Sequence, residues 1–309
     1  MNTLHMKYAV EVAKAGSISK ASEALLVAQP NISRGIRELE STLGISIFER
    51  SSKGVSLTPE GEDFIRYAQK ILTQIDDLEN MYRGSSPYKQ RFSISVPRAS
   101  YISRAFARFS RSIGKEPAEI FYKETNSYRA IKNILTEDYH LGIVRYAASF
   151  DRYYADLLEE KNLTGVPVAE FQYNLIFHRD SPLAKKENIR FSDLLSCIEI
   201  AHGDPFVPSL PLAVVRKEEL PEEISRRIFV FERASQFDLL TENPETYMWV
   251  SPVPQDLLDR YGLMQRRCYE NRKVYKDLLI RRKDYRLSSL DQNFITQVFN
   301  AREECFRTV

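Results

Sequence analysis

Residues 28–40 read AQPNISRGIRELE, and their polar members recur at the spacing of a helix. At about 100° per residue, Pro30, Ser33, Arg34, Arg37 and Ser41 line one side, opposite Ile32, Ile36, Leu39 and Leu43. Glu38 and Glu40 fall on the flanks, so the cationic stripe is unopposed at its centre. Guanidinium and amide groups so placed can make paired hydrogen bonds to one edge of a planar partner. An ordinary solvated face of an amphipathic helix has the same pattern, so the neighbouring elements must decide.

Other reactive arrangements lose their meaning in context. SISK, from Ser17 to Lys20, has the serine-to-lysine spacing of some hydrolases, but it stands at a helix start, where serine caps and lysine is solvated. No glycine-rich phosphate loop follows a strand, and His5, His140, His178 and His202 lack metal-ligand spacing. Neither catalysis nor a cofactor or metal is expected. Cys197, Cys268 and Cys305 are too far apart for a disulfide framework, which suits a reducing compartment. No apolar run reaches the ~18–20 residues of a membrane span, and the first residues lack the layout of a signal peptide. The chain is therefore expected to be cytoplasmic.

The elements that must carry the stripe come before and after it. Leu4, Tyr8 and Val12 are spaced for a first helix that KAGS ends, and Ser17 can cap a second built on Ile18, Ala21 and Leu25. Only residues 26–29 separate that second helix from the stripe, the connection of a helix-turn-helix. Behind it, FER and VSL can pair as short strands about SSKG, placing Arg50 and Lys53 on a hairpin wing. The net charge of the whole chain, +2, is too small to announce a nucleic-acid partner. It hides a polarity: residues 1–58 hold seven Lys or Arg against five Glu, and residues 59–83 hold three against six acids.

In order and spacing, GSISKAS, QPNIS, IRELE, LG then IFER, and LTPEG resemble the LysR-type transcriptional regulators. The departures are Ala9 for a phenylalanine, Ser22 for an alanine, Ala28 for a hydroxyl residue and Gly35 for a long polar one. The resemblance implies that the stripe enters the major groove of double-stranded DNA. Gln29 would then pair with adenine, Arg34 with guanine, and Pro30 would pack on a thymine methyl, with Ser33 beside them. Arg37, Arg50 and Lys53 would contact phosphate or a groove and set register.

From Thr58 a long helix follows, with Pro59 and early acids at its start. Phe64, Ala68, Ile71, Ile75, Leu78 and Tyr82 alternate spacings of four and three, a heptad seam for packing on another helix. It resembles the family's dimerising linker helix. A homodimer, and by family habit a homotetramer, would read an interrupted inverted repeat and act with RNA polymerase.

The remaining chain alternates short apolar strands with amphipathic helices, as α/β structure does. The expected division is a winged helix-turn-helix over 1–58, the linker helix over 59–84, a hinge over 85–91 and an effector domain over 92–309. The resemblance implies two Rossmann-like subdomains similar to periplasmic binding proteins, one over about 92–163 and 270–309, the other over about 164–269. A small-molecule effector would lie between them, beyond the carboxyl ends of strands. By position its neighbours would be Ser100, Tyr101, Asn126, Arg145, His202 and Asp204, with Arg145 placed to pair a carboxylate. Each also has a plainer role: a cap for Ser100, core for Tyr101, an internal salt bridge for Arg145, a loop position for His202. Two rival readings stand beside a ligand-responsive regulator, a redox sensor built on Cys197 and a ligand-independent architectural DNA binder.

Overall fold

The computed structural model describes residues 2–51, 54–83, 89–204 and 224–307. The chain divides into two compact units, Met1–Lys89 and Gln90–Val309.

In the first unit, α1 (Thr3–Ala15) is capped by Asn2, whose side chain accepts from the Leu4 amide, and it closes at Gly16. Ser17 caps α2 (Ile18–Leu25), which ends at Leu26 in the left-handed region, φ 54°. That turn leads within three residues into α3 (Gln29–Leu43), which has no side-chain cap at Ala28 and is started by Pro30 instead. Ile32, Ile36 and Leu39 are buried, as their spacing predicts, against Tyr8, Ala9 and Val12 of α1 and Ile18 and Ala21 of α2. Gly35 is what lets α1 approach. A Cβ there would meet the His5 ring at 2.9 Å and the Tyr8 ring at 3.0 Å.

Strands β1 (Phe48–Ser51) and β2 (Gly54–Leu57) pair antiparallel, Phe48 opposite Leu57. Glu40 fixes this hairpin to α3, accepting from the amides of Ile47 at 2.8 Å and Phe48 at 3.2 Å. The long helix α4 (Pro59–Arg83) begins under Thr58, whose hydroxyl accepts from the Gly61 amide and donates to the Ser46 carbonyl. The heptad seam is divided by what lies against it. Ala68 is buried with Met6 and Leu72, and Phe64 packs on the same cluster, so these two belong to the domain's own core. Ile71 and Leu78 stay exposed, at 36% and 53%, and Ile75 is half-buried. The side chain of Tyr82 lies outside the described residues, as do that of Arg50, the whole of Lys53, residue 84 at the expected end of the linker helix, and residues 85–88 of the expected hinge.

The second unit holds two mixed five-stranded sheets. The first contains β3 (Gln90–Val96), β4 (Ala118–Glu124), β5 (Leu141–Ala147), β6 (Leu163–Gln172) and β12 (Val274–Arg282), in the order β4-β3-β5-β12-β6. The second contains β7 (Asn174–His178), β8 (Ile198–His202), β9 (Arg227–Val230), β10 (Thr246–Val250) and β11 (Leu263–Arg267), in the order β11-β7-β10-β8-β9. Parallel pairs β3–β4, β3–β5, β8–β9 and β8–β10 sit beside antiparallel ones. This is the α/β architecture the alternation predicts. β6 pairs with β12 along its length, so the chain changes sheet near residue 173, not at the expected 163. The hinge is likewise shorter than expected, because Gln90 and Arg91 are already in β3.

Helices cover both sheets. α5 (Ser100–Phe109), α6 (Ser127–Thr136), α7 (Asp151–Glu160) and the closing α11 (Ser289–Phe306) belong with the first, and α8 (Phe191–Leu194), α9 (Ala234–Glu242) and α10 (Gln255–Arg260) with the second. Phe92, Phe109 and Phe294 stack in the core of the first sheet, ring centres 4.5 to 5.6 Å apart. Burying such rings contributes roughly 2–3 kcal/mol each.

Candidate nucleic-acid interface and ligand cleft

On α3 the side opposite the buried face is open. Gln29, Pro30, Arg34 and Arg37 are exposed and Ser33 is partly so. Arg34 donates to the Asn31 side chain at 3.0 Å, and Arg37 donates through Nε to the Ser33 carbonyl at 3.2 Å. Neither guanidinium is held by a carboxylate among the described residues. Both therefore keep donors for an external acceptor. Glu40 is turned away by its bonds to the hairpin, which leaves the stripe cationic.

In the second unit, polar side chains gather where the carboxyl ends of β3, β4, β5 and β8 meet. Arg98, just after β3, makes two bonds to Asp204, just after β8, at 2.8 and 3.4 Å. Both side chains are nearly buried, 12% and 14% exposed. Asn126 caps α6 through the Arg129 amide and donates its own amide to the Asp204 carbonyl at 3.1 Å. His202, which ends β8, has an Nδ1 atom with no hydrogen-bond partner among the described residues. Burial, with Arg98 beside it, pushes His202 down to about 4, so the ring is neutral.

A second arginine crosses the same junction. Arg233, before α9, donates to the hydroxyls of Ser100 and Ser103 on α5, each at 2.9 Å. The nearest carboxylate to it is Glu124 at 3.7 Å. Burial raises the Glu124 carboxyl above its ordinary range against the pull of Arg233, and the Tyr122 hydroxyl donates to it.

Two expected ligand contacts have other work. Arg145 makes two 2.7 Å bonds to Asp277 on the adjacent strand β12, and its guanidinium lies over the Phe171 ring at 4.8 Å. Tyr101 is fully buried and donates its hydroxyl to the same Asp277. Tyr101 is thus core, and Arg145 is held in an internal salt bridge through Nε and Nη2. Of the other expected ligand contacts, Asn126 bonds Asp204, His202 ends the strand before it, and Ser100 is bonded to Arg233. Sequence reasoning missed Arg98, Ser103, Glu124, Arg233 and Asp277. For Asp277 a signal existed, a lone acid within the apolar VYKDLLI.

The thiols do not favour oxidation chemistry. Cys197, Cys268 and Cys305 are free and buried. Burial raises all three, Cys305 to about 11, the reverse of a reactive thiolate. No helix among the described residues is long and apolar enough to cross a membrane.

Residues 4–62 match the family described as bacterial regulatory helix-turn-helix protein, lysR family, and the N-terminal domain belongs to it. That is a family of regulators and not of enzymes. Among its relatives, the HTH-type transcriptional regulator YcgK of Bacillus subtilis is 42% identical over 93 residues, 30% of this chain and 29% of that one. BenM of Acinetobacter baylyi is 43% identical over 81 residues, 26% of this chain and 27% of that one. YnfL of Escherichia coli is 26% identical over 195 residues, 62% of each chain. The chain thus spans less than a third of the length of the first two and less than two thirds of the third.

The fold itself is shared from end to end. Full-length OxyR from Pseudomonas aeruginosa covers 99% of this chain, with 95% of its own length, at a TM-score of 0.56 and 17% identity. CbnR, solved with its target DNA, covers 97%, with 100% of its own length, at 0.58 and 19%. LysG from Corynebacterium glutamicum, solved with bound effector Arg, covers 98%, with 99% of its own length, at 0.58 and 13%. A winged helix-turn-helix, a long helix and a two-sheet α/β unit are therefore the fold of full-length LysR regulators.

Proposed function

We propose that this chain is a sequence-specific DNA-binding transcriptional regulator, acting in the cytoplasm, whose DNA binding or promoter activity responds to a small molecule between the two sheets of its second unit. The observation that carries the reading is the open face of α3: Gln29, Pro30, Ser33, Arg34 and Arg37 on one side of a helix whose other side is core. A second helix entering the major groove by its N-terminal residues presents its first turns to base edges. Gln29 and Arg34 can each make two bonds to one base, to adenine and guanine respectively, and Arg37, one turn further, fits a phosphate. Arg50 and Lys53 on the wing belong to the phosphate set in this reading.

The exposed Ile71 and Leu78 support a homodimer formed through α4, which pairs two recognition helices on an interrupted inverted repeat. Association of such dimers into a tetramer, and contact with RNA polymerase at the promoter, belong to the same reading. Support for the effector comes from the polar junction of Arg98, Asn126, His202 and Asp204 at the carboxyl ends of strands, where ligands of open α/β sheets bind.

Selection of bound fragments from genomic DNA by the purified chain tests the reading. The expected outcome is a small set of sites sharing an inverted repeat, with affinity that falls steeply with salt as phosphate contacts require. Recovery of no preferred sequence would overturn it.

A further inference from the structure

The guanidinium groups of Arg98, Arg145 and Arg233 differ in what neutralises them. Arg145 is paired with Asp277, its neighbour across paired strands of one sheet. Arg233 rests on two neutral hydroxyls, with Glu124 at the fringe. Arg98 belongs to the first sheet, and the carboxylate that holds it, Asp204, comes from the end of a strand in the second. Asp204 also presents its main-chain carbonyl to Asn126. The carboxylate on Arg98 and the carbonyl on Asn126 are together what a small carboxylic acid with one further acceptor would offer. The chain supplies both from its own loop.

We propose that Asp204 is a tethered competitor: its carboxylate occupies the guanidinium of Arg98, and the ligand of this cleft is a carboxylate that takes its place there. The inference rests on the reading of the cleft as an effector site and names the class of effector and the contact it must break. Stripping Arg98 of its partner would leave a nearly buried cation unpaired, which is costly, so the exchange of one carboxylate for another is the permitted route. The exchange also has a mechanical result. Arg98–Asp204 and Asn126–Asp204 tie the two sheets, and a free carboxylate on Arg98 releases that tie while keeping the charge balanced. His202 adds no charge of its own there, and its buried Nδ1 has no hydrogen-bond partner among the described residues.

Rescue by acetate is the test. The full chain carrying Asp204→Ala, and separately the milder Asp204→Asn, is followed by thermal unfolding in sodium acetate and in sodium chloride of equal ionic strength. We expect both variants to melt below the wild type in chloride. Near-saturating acetate should raise their midpoints by about 2–4 °C more than it raises that of the wild type, whose site Asp204 already fills. Adding Arg98→Met should abolish the extra rise. An equal acetate effect in wild type and variants, or one that survives Arg98→Met, would overturn the proposal. Asp204→Asn keeps the test open if Asp204→Ala does not fold. An intact acetate rescue supports the role of Arg98 even where genomic selection returns no preferred site, a result that overturns the regulator reading alone.

Discussion

His202 shows how one residue couples site and stability. Largely buried and with Arg98 nearby, its ring stays neutral down to about pH 4, whereas in the unfolded chain it takes up a proton near 6.5. Protons therefore favour the unfolded chain below pH 6.5. Above that value the residue makes no pH-dependent contribution, and between 6.5 and 4 the fold loses up to about 3 kcal/mol through it. Denaturant titrations at about pH 7 and pH 4.5 should find that the wild type loses more stability on acidification than His202→Asn, and equal losses would refute this. Single residues were also the hardest to read from sequence. Position after strands singled out Ser100, Asn126, His202 and Asp204, and of these Asn126 and Asp204 are bonded to each other. Arg98 was not singled out, because its partner is 106 residues away, and the internal salt bridge weighed for Arg145 could not be given its partner, because Asp277 is 132 residues away. Such pairs exist only once the sheets are assembled.

At the level of elements, the join between wing and long helix depends on one absent side chain. Gly61 stands in the first turn of α4, and a Cβ there would lie 2.0 Å from the Ile47 carbonyl oxygen, a backbone atom that cannot swing aside. Alanine is the better helix former by about 1 kcal/mol, so propensity alone predicts that Gly61→Ala stabilises. The contact predicts the opposite, a loss on the order of 2 kcal/mol, since the hairpin or the helix must move. Chemical denaturation of the full chain decides between them. Periodicity found α3 and its buried face because one side of that helix meets only its own domain. It read α4 less well, since the seam that starts at Phe64 is divided between residues packed in the domain's own core and residues left exposed. α1 takes Phe64 and Ala68, and only beyond them are Ile71 and Leu78 free for a second chain. The place of β6 escaped for a related reason: its pairing with β12 is a contact of high sequence separation that no local pattern announces.

Over the whole molecule, the division of labour follows the charge and the connectivity. In the proposed reading, the first unit, with its cationic helix face, serves recognition, and the second unit of two sheets, tied across their junction by Arg98 and Asp204, serves response. The order of units, the winged helix-turn-helix and the α/β character were legible because each rests on local caps, turns and periods. The chemistry between the sheets was legible only as a location. Base reading by α3 is tested by measuring affinity for every single-base variant of the best recovered site, with wild type, Arg34→Ala and Arg37→Ala. Arg34→Ala should lose about 1–3 kcal/mol of discrimination at one position of each half-site, while Arg37→Ala weakens all variants alike. Unchanged base preference in Arg34→Ala would contradict it.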